Sequence, residues 1–155
     1  MNTSCIVILG FLAATLFSVP AAAQEKKIKE SEIPPAVKKA MDQQSEGAKV
    51  QGYSQEKEKG KTYYEAELLV SGHSKDMLFD RDGQLVEVEE QVEIDRLPAE
   101  VKSGLETKAG KGHITKVESI TKHGKLTAYE AQVKTGVKKS EVQVGPDGKP
   151  LDHEE

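Results

Sequence analysis

Two stretches of the chain alternate between apolar and polar residues around the same three letters. Tyr64, Ala66, Leu68 and Val70 alternate with Glu65 and Glu67, and Tyr129, Ala131 and Val133 alternate with Glu130, Gln132 and Lys134. A period of two predicts strands with one buried and one wet face, so each YEA phrase places its Tyr and Ala in a core and its Glu in water. Upstream of each strand lies a helical pattern. Val37, Ala40 and Met41 share one face after Ile33-Pro34-Pro35, and Val101 and Leu105 do the same after Leu97-Pro98. Proline suits a first helical turn, where its missing N–H costs nothing, and Ser31 and Asp95 are the candidate N-caps. The helices are expected to end near Gly47 and near Gly110-Lys111-Gly112. Lys59-Gly60 and His123-Gly124 suit tight hairpin turns that need positive φ, and Asp82-Gly83 and Pro146-Asp147-Gly148 mark the next turns.

These features recur in one order. The Ile33-Pro34 and Leu97-Pro98 helix starts keep the same offset as Gly60-Lys61 and Gly124-Lys125, while the YEA phrases and the Asp-Gly turns stand one residue further apart. One insertion between Lys125 and Tyr129 accounts for the change, which predicts an internal duplication. Each unit then reads as one helix followed by about four antiparallel strands. Two such tandem units make an α+β protein with its helices packed on one face of the sheet, or of two sheets; the pattern leaves that choice open. The expected division is 24–94 for the first unit and 95–155 for the second, which closes in a short acidic tail. Leu85 to Ile94 is the candidate bridge between them. Glu90 shares the parity of Val86, Val88, Val92 and Ile94, which predicts a bulge or an exit from the core there, since an unpaired buried charge is costly.

Composition adds a compartment. The apolar run Cys5 to Val19 falls short of the roughly 20 residues of a membrane span, and Ala21-Ala22-Ala23 follows Pro20. That is the layout of a secretory signal peptide over residues 1–23, although its first residues lack Lys and Arg. Removal after Ala23 takes away the one cysteine, excluding a disulfide, a thiol nucleophile and a Cys-ligated zinc. It also predicts a periplasmic or secreted protein with no stable membrane insertion. The remaining aromatic residues are Phe79 and four tyrosines, without tryptophan. So thin a core predicts that the two halves need each other. The net charge is −4, and Lys and Glu are interleaved along the chain. That pattern predicts a solvated surface and excludes the basic stripe of a nucleic-acid-binding protein.

The residues that carry chemistry are few. His113 and His123 bracket one expected strand, too far apart to share a metal ion, and His73 opens another. His153 lies in the tail with Asp152, Glu154 and Glu155, a loose candidate for a divalent cation. No metal site, cofactor or catalytic residue is expected, because no nucleophile elbow, zinc motif or phosphate loop occurs. Glu65, Glu67 and Glu130 are expected only to solvate the sheet. Tyr63 points away from Tyr64 and shares a face with Glu65, Glu67 and Leu69. An aromatic and an aliphatic residue on a polar face are candidates for partner binding, and Tyr63, Glu65, Glu67 and Leu69 form the expected face.

The stretches EKGKTYYEAELLVSGHSKDMLFDRDGQLVEVE (residues 58–89) and HGKLTAYEAQVKTGVKKSEVQVGPDGKPL (residues 123–151), each introduced by its proline-started helix, resemble the PepSY and PepSY-like group. The likeness covers nearly all of the chain after the signal, as two copies, and its motif residues are turn glycines and strand alternation. It implies a small extracytoplasmic α+β module, similar in build to the tandem-domain β-lactamase inhibitor protein. It also implies a non-enzymatic binding role, inhibiting or chaperoning an extracytoplasmic peptidase or hydrolase. The alternative is an envelope protein that binds a small ligand or a divalent cation.

Overall fold

The computed structural model describes residues 25–152. The expected signal peptide and the tail residues His153, Glu154 and Glu155 lie outside the described residues. Within them run β1 (Lys26–Lys27), α1 (Pro35–Gln44), β2 (Lys49–Glu58), β3 (Lys61–Val70), β4 (His73–Phe79), β5 (Leu85–Gln91), α2 (Ala99–Ala109), β6 (His113–Lys122), β7 (Lys125–Thr135) and β8 (Lys138–Val144). The strands form one 8-stranded antiparallel sheet in which spatial order equals chain order. β5 pairs with both β4 and β6, so a single sheet joins all the strands of the described residues.

Both helices begin later than expected, and proline is the reason. The residue before a proline is pushed out of the helical region. Ile33 and Leu97 are accordingly extended, and α1 and α2 start only after Pro34 and Pro98. Ser31 and Asp95 are therefore not N-caps. They lie in short 3-10 turns, Glu30–Glu32 and Ile94–Arg96, and the Asp95 carboxylate instead accepts from Lys102 at 2.8 Å. At the other ends the Ser45 hydroxyl donates to the Met41 carbonyl at 2.6 Å, and α2 stops at Gly110 with φ 59°.

Each helix closes its own core on the same sheet face. Val37 and Met41 pack with Ile33, Tyr64, Ala66, Leu68, Met77 and Phe79. Val101 and Leu105 pack with Val117, Ala131, Val133 and Val144. Tyr64, Ala66 and Ala131 are buried and Tyr129 is half-buried, as the YEA alternation predicts. Glu90 lies on this same face, directly opposite Lys75, and its exposed carboxylate meets the Lys75 ammonium at 2.8 Å. The strand is regular there. Its bulge against β4 falls at Leu78/Phe79, and it ends at Gln91, short of Ile94.

The Asp-Gly turns are structural wedges. Gly83 (φ 81°) and Gly148 (φ 77°) press backbone to backbone under α1 and α2. A Cβ at Gly83 would lie 2.9 Å from the Ala36 carbonyl oxygen, and one at Gly148 would lie 2.1 Å from that of Glu100. The turns thereby set how close each helix sits to the sheet.

Candidate functional site

The face of the sheet opposite the helices is the candidate site. Ladder register places Ser54 and Glu56 of β2 beside Glu65 and Tyr63 of β3, with Leu78 and Asp76 of β4 next to Glu65 and Glu67. Glu87 and Glu89 of β5 follow, then Lys122 and Ile120 of β6, Ala128 and Glu130 of β7, and Gln143 of β8. Among the described residues no helix packs on this face. Ser54, Glu118, Ile120, Ala128 and Gln143 are nonetheless buried. A single sheet layer buries side chains on its uncovered side only where it curves and where its longer side chains close over the shorter ones. Bulges at Val50/Gly52, Leu78/Phe79, Ile114/Lys116 and Ile120/Thr121 supply that bending.

Burial there raises the acids. The Glu65 carboxyl is pushed up to about 7, first by burial, then by Asp76, Glu56 and Glu67, against the hydrogen bond it accepts from the Ser54 hydroxyl. Asp76 rises to about 6 through burial and the Glu118 charge, with Lys116 opposing. Glu89 rises to about 8 through burial and then repulsion from Glu87, Glu130, Glu118 and Asp76. Glu56 is also raised by burial. Carboxylate oxygens of Asp76, Glu89 and Glu118 lie within 4.8 Å of one another, and those of Glu25, Glu65 and Glu67 form a second such group. Lys116 pairs with Glu118 at 2.5 Å, Lys27 binds Glu67, and the Gln143 amide donates to Glu130 at 2.8 Å. Glu65 is thus partly buried with its carboxylate on the Ser54 hydroxyl, deeper than a residue that only solvates the sheet. Alternation along one strand says which side a residue faces, and cross-strand register decides how deep it lies. Ser54 offers no accessible nucleophile, being fully buried with its hydroxyl on Glu65.

Of the expected face residues, Tyr63, Glu65, Glu67 and Leu69 do share one side of β3. Six residues of extended chain separate Tyr63 from Leu69, roughly 20 Å, so they do not form one patch. Tyr63 lines a cavity of about 550 Å³ together with Leu78 and Val86, and charged residues of both signs, among them Glu58, Glu87, Arg81 and Lys122, line it too. The Lys59-Gly60 and His123-Gly124 hairpins flank it, all four residues at positive φ. His113 and His123 stand at opposite ends of β6, and His73 lies 3.7 Å from Glu93. Sequence reasoning missed Asp76, Glu89 and Glu118. Each sits in a different strand, and only the pairing of β4, β5 and β6 brings them together. No helix among the described residues is long and apolar enough to cross a membrane.

Comparison with known proteins agrees with the architecture. Residues 62–149 match the family model described as "Putative beta-lactamase-inhibitor-like, PepSY-like". Among solved structures, a putative periplasmic protein of Bacteroides eggerthii is 20% identical with TM-score 0.62, covering 76% of this chain and 85% of that one. A DUF2874 family protein of Bacteroides ovatus is 21% identical with TM-score 0.59, covering 77% and 84%. A BLIP-like protein of Bacteroides fragilis is 21% identical with TM-score 0.56, covering 76% and 82%. At such identities these structures share the fold alone. No curated protein matches the chain.

Proposed function

The chain belongs to the PepSY-like, beta-lactamase-inhibitor-like family, and from that premise we propose that it is a non-enzymatic periplasmic binding module. It grips an extracytoplasmic peptidase or hydrolase with the uncovered face of its sheet and thereby inhibits or chaperones it. The observation that carries this reading is the cavity at one end of that face, where Tyr63, Leu78 and Val86 lie among charged residues such as Glu58, Arg81 and Lys122. Partner-binding surfaces concentrate their affinity in such aromatic anchors inside a polar ring. The expected signal peptide and the description of a fold relative as periplasmic support the compartment. The matching wedges of Gly83 under α1 and Gly148 under α2 support a duplication, with units over 24–94 and 95–155 sharing one sheet.

Capture from a periplasmic extract should recover a peptidase or hydrolase whose activity changes on binding. Tyr63→Ala is expected to weaken that capture at least tenfold, by the usual size of an aromatic hot spot, while the melting temperature moves little. Recovery of no enzyme, with enzyme activities unchanged by the protein, would sink the reading.

The carboxylates of Asp76, Glu89 and Glu118 favour a second reading, a divalent-cation-binding envelope protein. Millimolar calcium, magnesium or manganese should then raise the melting temperature, because a ligand of the native state stabilises it. An unchanged melting temperature with all three would discard this reading and leave the first untouched.

A further inference from the structure

The far end of the sheet from the Tyr63 cavity is basic. His113 of β6 stands directly opposite Lys134 of β7, and Lys134 directly opposite Lys139 of β8. Lys138 follows at the β7–β8 turn, and Lys111 lies in the loop entering β6; all five side chains are exposed. Among the described residues Lys134, Lys138 and Lys139 take part in no ion pair, and the nearest acid on β8 is Glu141. Like charges placed directly across a ladder destabilise the pair, so folding gains nothing from this arrangement. At the tip of the same hairpin Val137 is 98% exposed, far more than Val50 at 40% or Val70 at 38%.

From this juxtaposition we propose that the β7–β8 hairpin is a peripheral anchor to an anionic bilayer surface, with Val137 entering the interface and Lys134, Lys138 and Lys139 meeting lipid headgroups. The residue types separate a bilayer from an acidic protein. Protein interfaces are depleted in lysine and rely on arginine and aromatic residues for fixed, planar contacts. Lysines attract a diffuse layer of anionic headgroups without needing fixed geometry, and their stems lie along apolar surface while the ammonium stays in water. A protruding tip also suits a deformable acceptor better than a preformed pocket. The anchor uses none of the residues around Tyr63, so it leaves the opposite end of the molecule open to a partner.

Flotation of the exported protein with vesicles tests it. Phosphatidylcholine vesicles carrying phosphatidylglycerol should carry the protein upward at low salt, whereas pure phosphatidylcholine should not, and added salt should release it. Each lysine replaced by serine should weaken partition about fivefold, and the triple variant about a hundredfold. Circular dichroism should show that variant to be folded. The chain has no tryptophan, so Val137→Trp gives one reporter, whose emission should shift to the blue on the anionic vesicles only. No flotation with anionic vesicles at low salt overturns the proposal. So does equal flotation with neutral ones, a triple variant that floats like the native protein, or an unshifted Trp emission. Capture of an acidic soluble protein through these lysines without vesicle binding overturns it too, by giving the hairpin a protein partner.

Discussion

Gly148→Ala is expected to lower the stability of the protein by about 3–5 kcal/mol, measured by chemical denaturation, and to depress the melting temperature by about 10–20 °C. Two costs combine at this position. An alanine held at φ 77° is strained by about 1–2 kcal/mol. Its Cβ would also sit 2.1 Å from the Glu100 carbonyl oxygen, which is helix backbone and cannot swing aside. Either α2 lifts from the sheet, opening the core around Val101 and Leu105, or the turn unwinds. Two companions separate the terms. Gly47 has φ 81° with nothing within 4 Å of its would-be Cβ, so Gly47→Ala should cost only about 1 kcal/mol. Gly104 lies inside α2, where alanine would ordinarily stabilise by about 1 kcal/mol. Its would-be Cβ, however, meets the Gly148 carbonyl oxygen at 2.1 Å. A destabilising Gly104→Ala identifies the helix–turn contact as the cause, and a stabilising one would show that α2 sits further from the turn.

The second large effect is on pH. Glu89, Glu65 and Asp76 have carboxyls raised to about 8, 7 and 6, above the ordinary carboxylate range near 4. The folded protein therefore holds protons that the unfolded chain has released. Stability contributed in this way is fully present below about pH 4, falls as pH climbs through the raised values, and is flat again above about 8. The melting temperature should accordingly decline between pH 5 and pH 8.5. Glu89 is the largest contributor, and Glu89→Gln should remove about 2–3 kcal/mol of that decline, less than the full linkage because its neighbours also adjust. At pH 8.5 the variant should be more stable than the native protein. A native melting curve that rises with pH across this range, or a variant with an unchanged slope, would contradict the raised carboxyls.

Much of the fold could be read locally. The hairpins at Lys59-Gly60 and His123-Gly124 and the buried Tyr64, Ala66 and Ala131 follow from short-range chemistry, namely positive φ and a period of two. The N-caps failed because proline constrains its predecessor more than it advertises a helix start, which moved both starts past Pro34 and Pro98. For Glu90 the exit from the core holds and the bulge does not. Parity put it on the core side correctly, but it falls between the two helix footprints, where Lys75 and solvent receive it. The site was least legible of all. Tyr63 and Leu69 could be assigned to one face from their own strand. The depth of Glu65 and the meeting of Asp76, Glu89 and Glu118 depend on the register of β3 through β6 and on bulges that no single segment announces. The basic end escaped for the same reason, since Lys111, His113 and the Lys134–Lys139 segment are far apart along the chain and adjacent only in the ladder.

Strand order that equals chain order has a consequence for assembly. Every strand pairs with the strand before it, so each ladder closes either across a short turn or, at β1–β2 and β5–β6, across one helix, and contacts stay local, the condition under which folding is fast. The first core is complete by Val88 and the second begins only at Val92. A chain emerging N-terminus first can seal α1 onto its strands before any part of α2 is available. β5 then offers its free edge to β6, so the half already folded becomes the template on which the other half is laid.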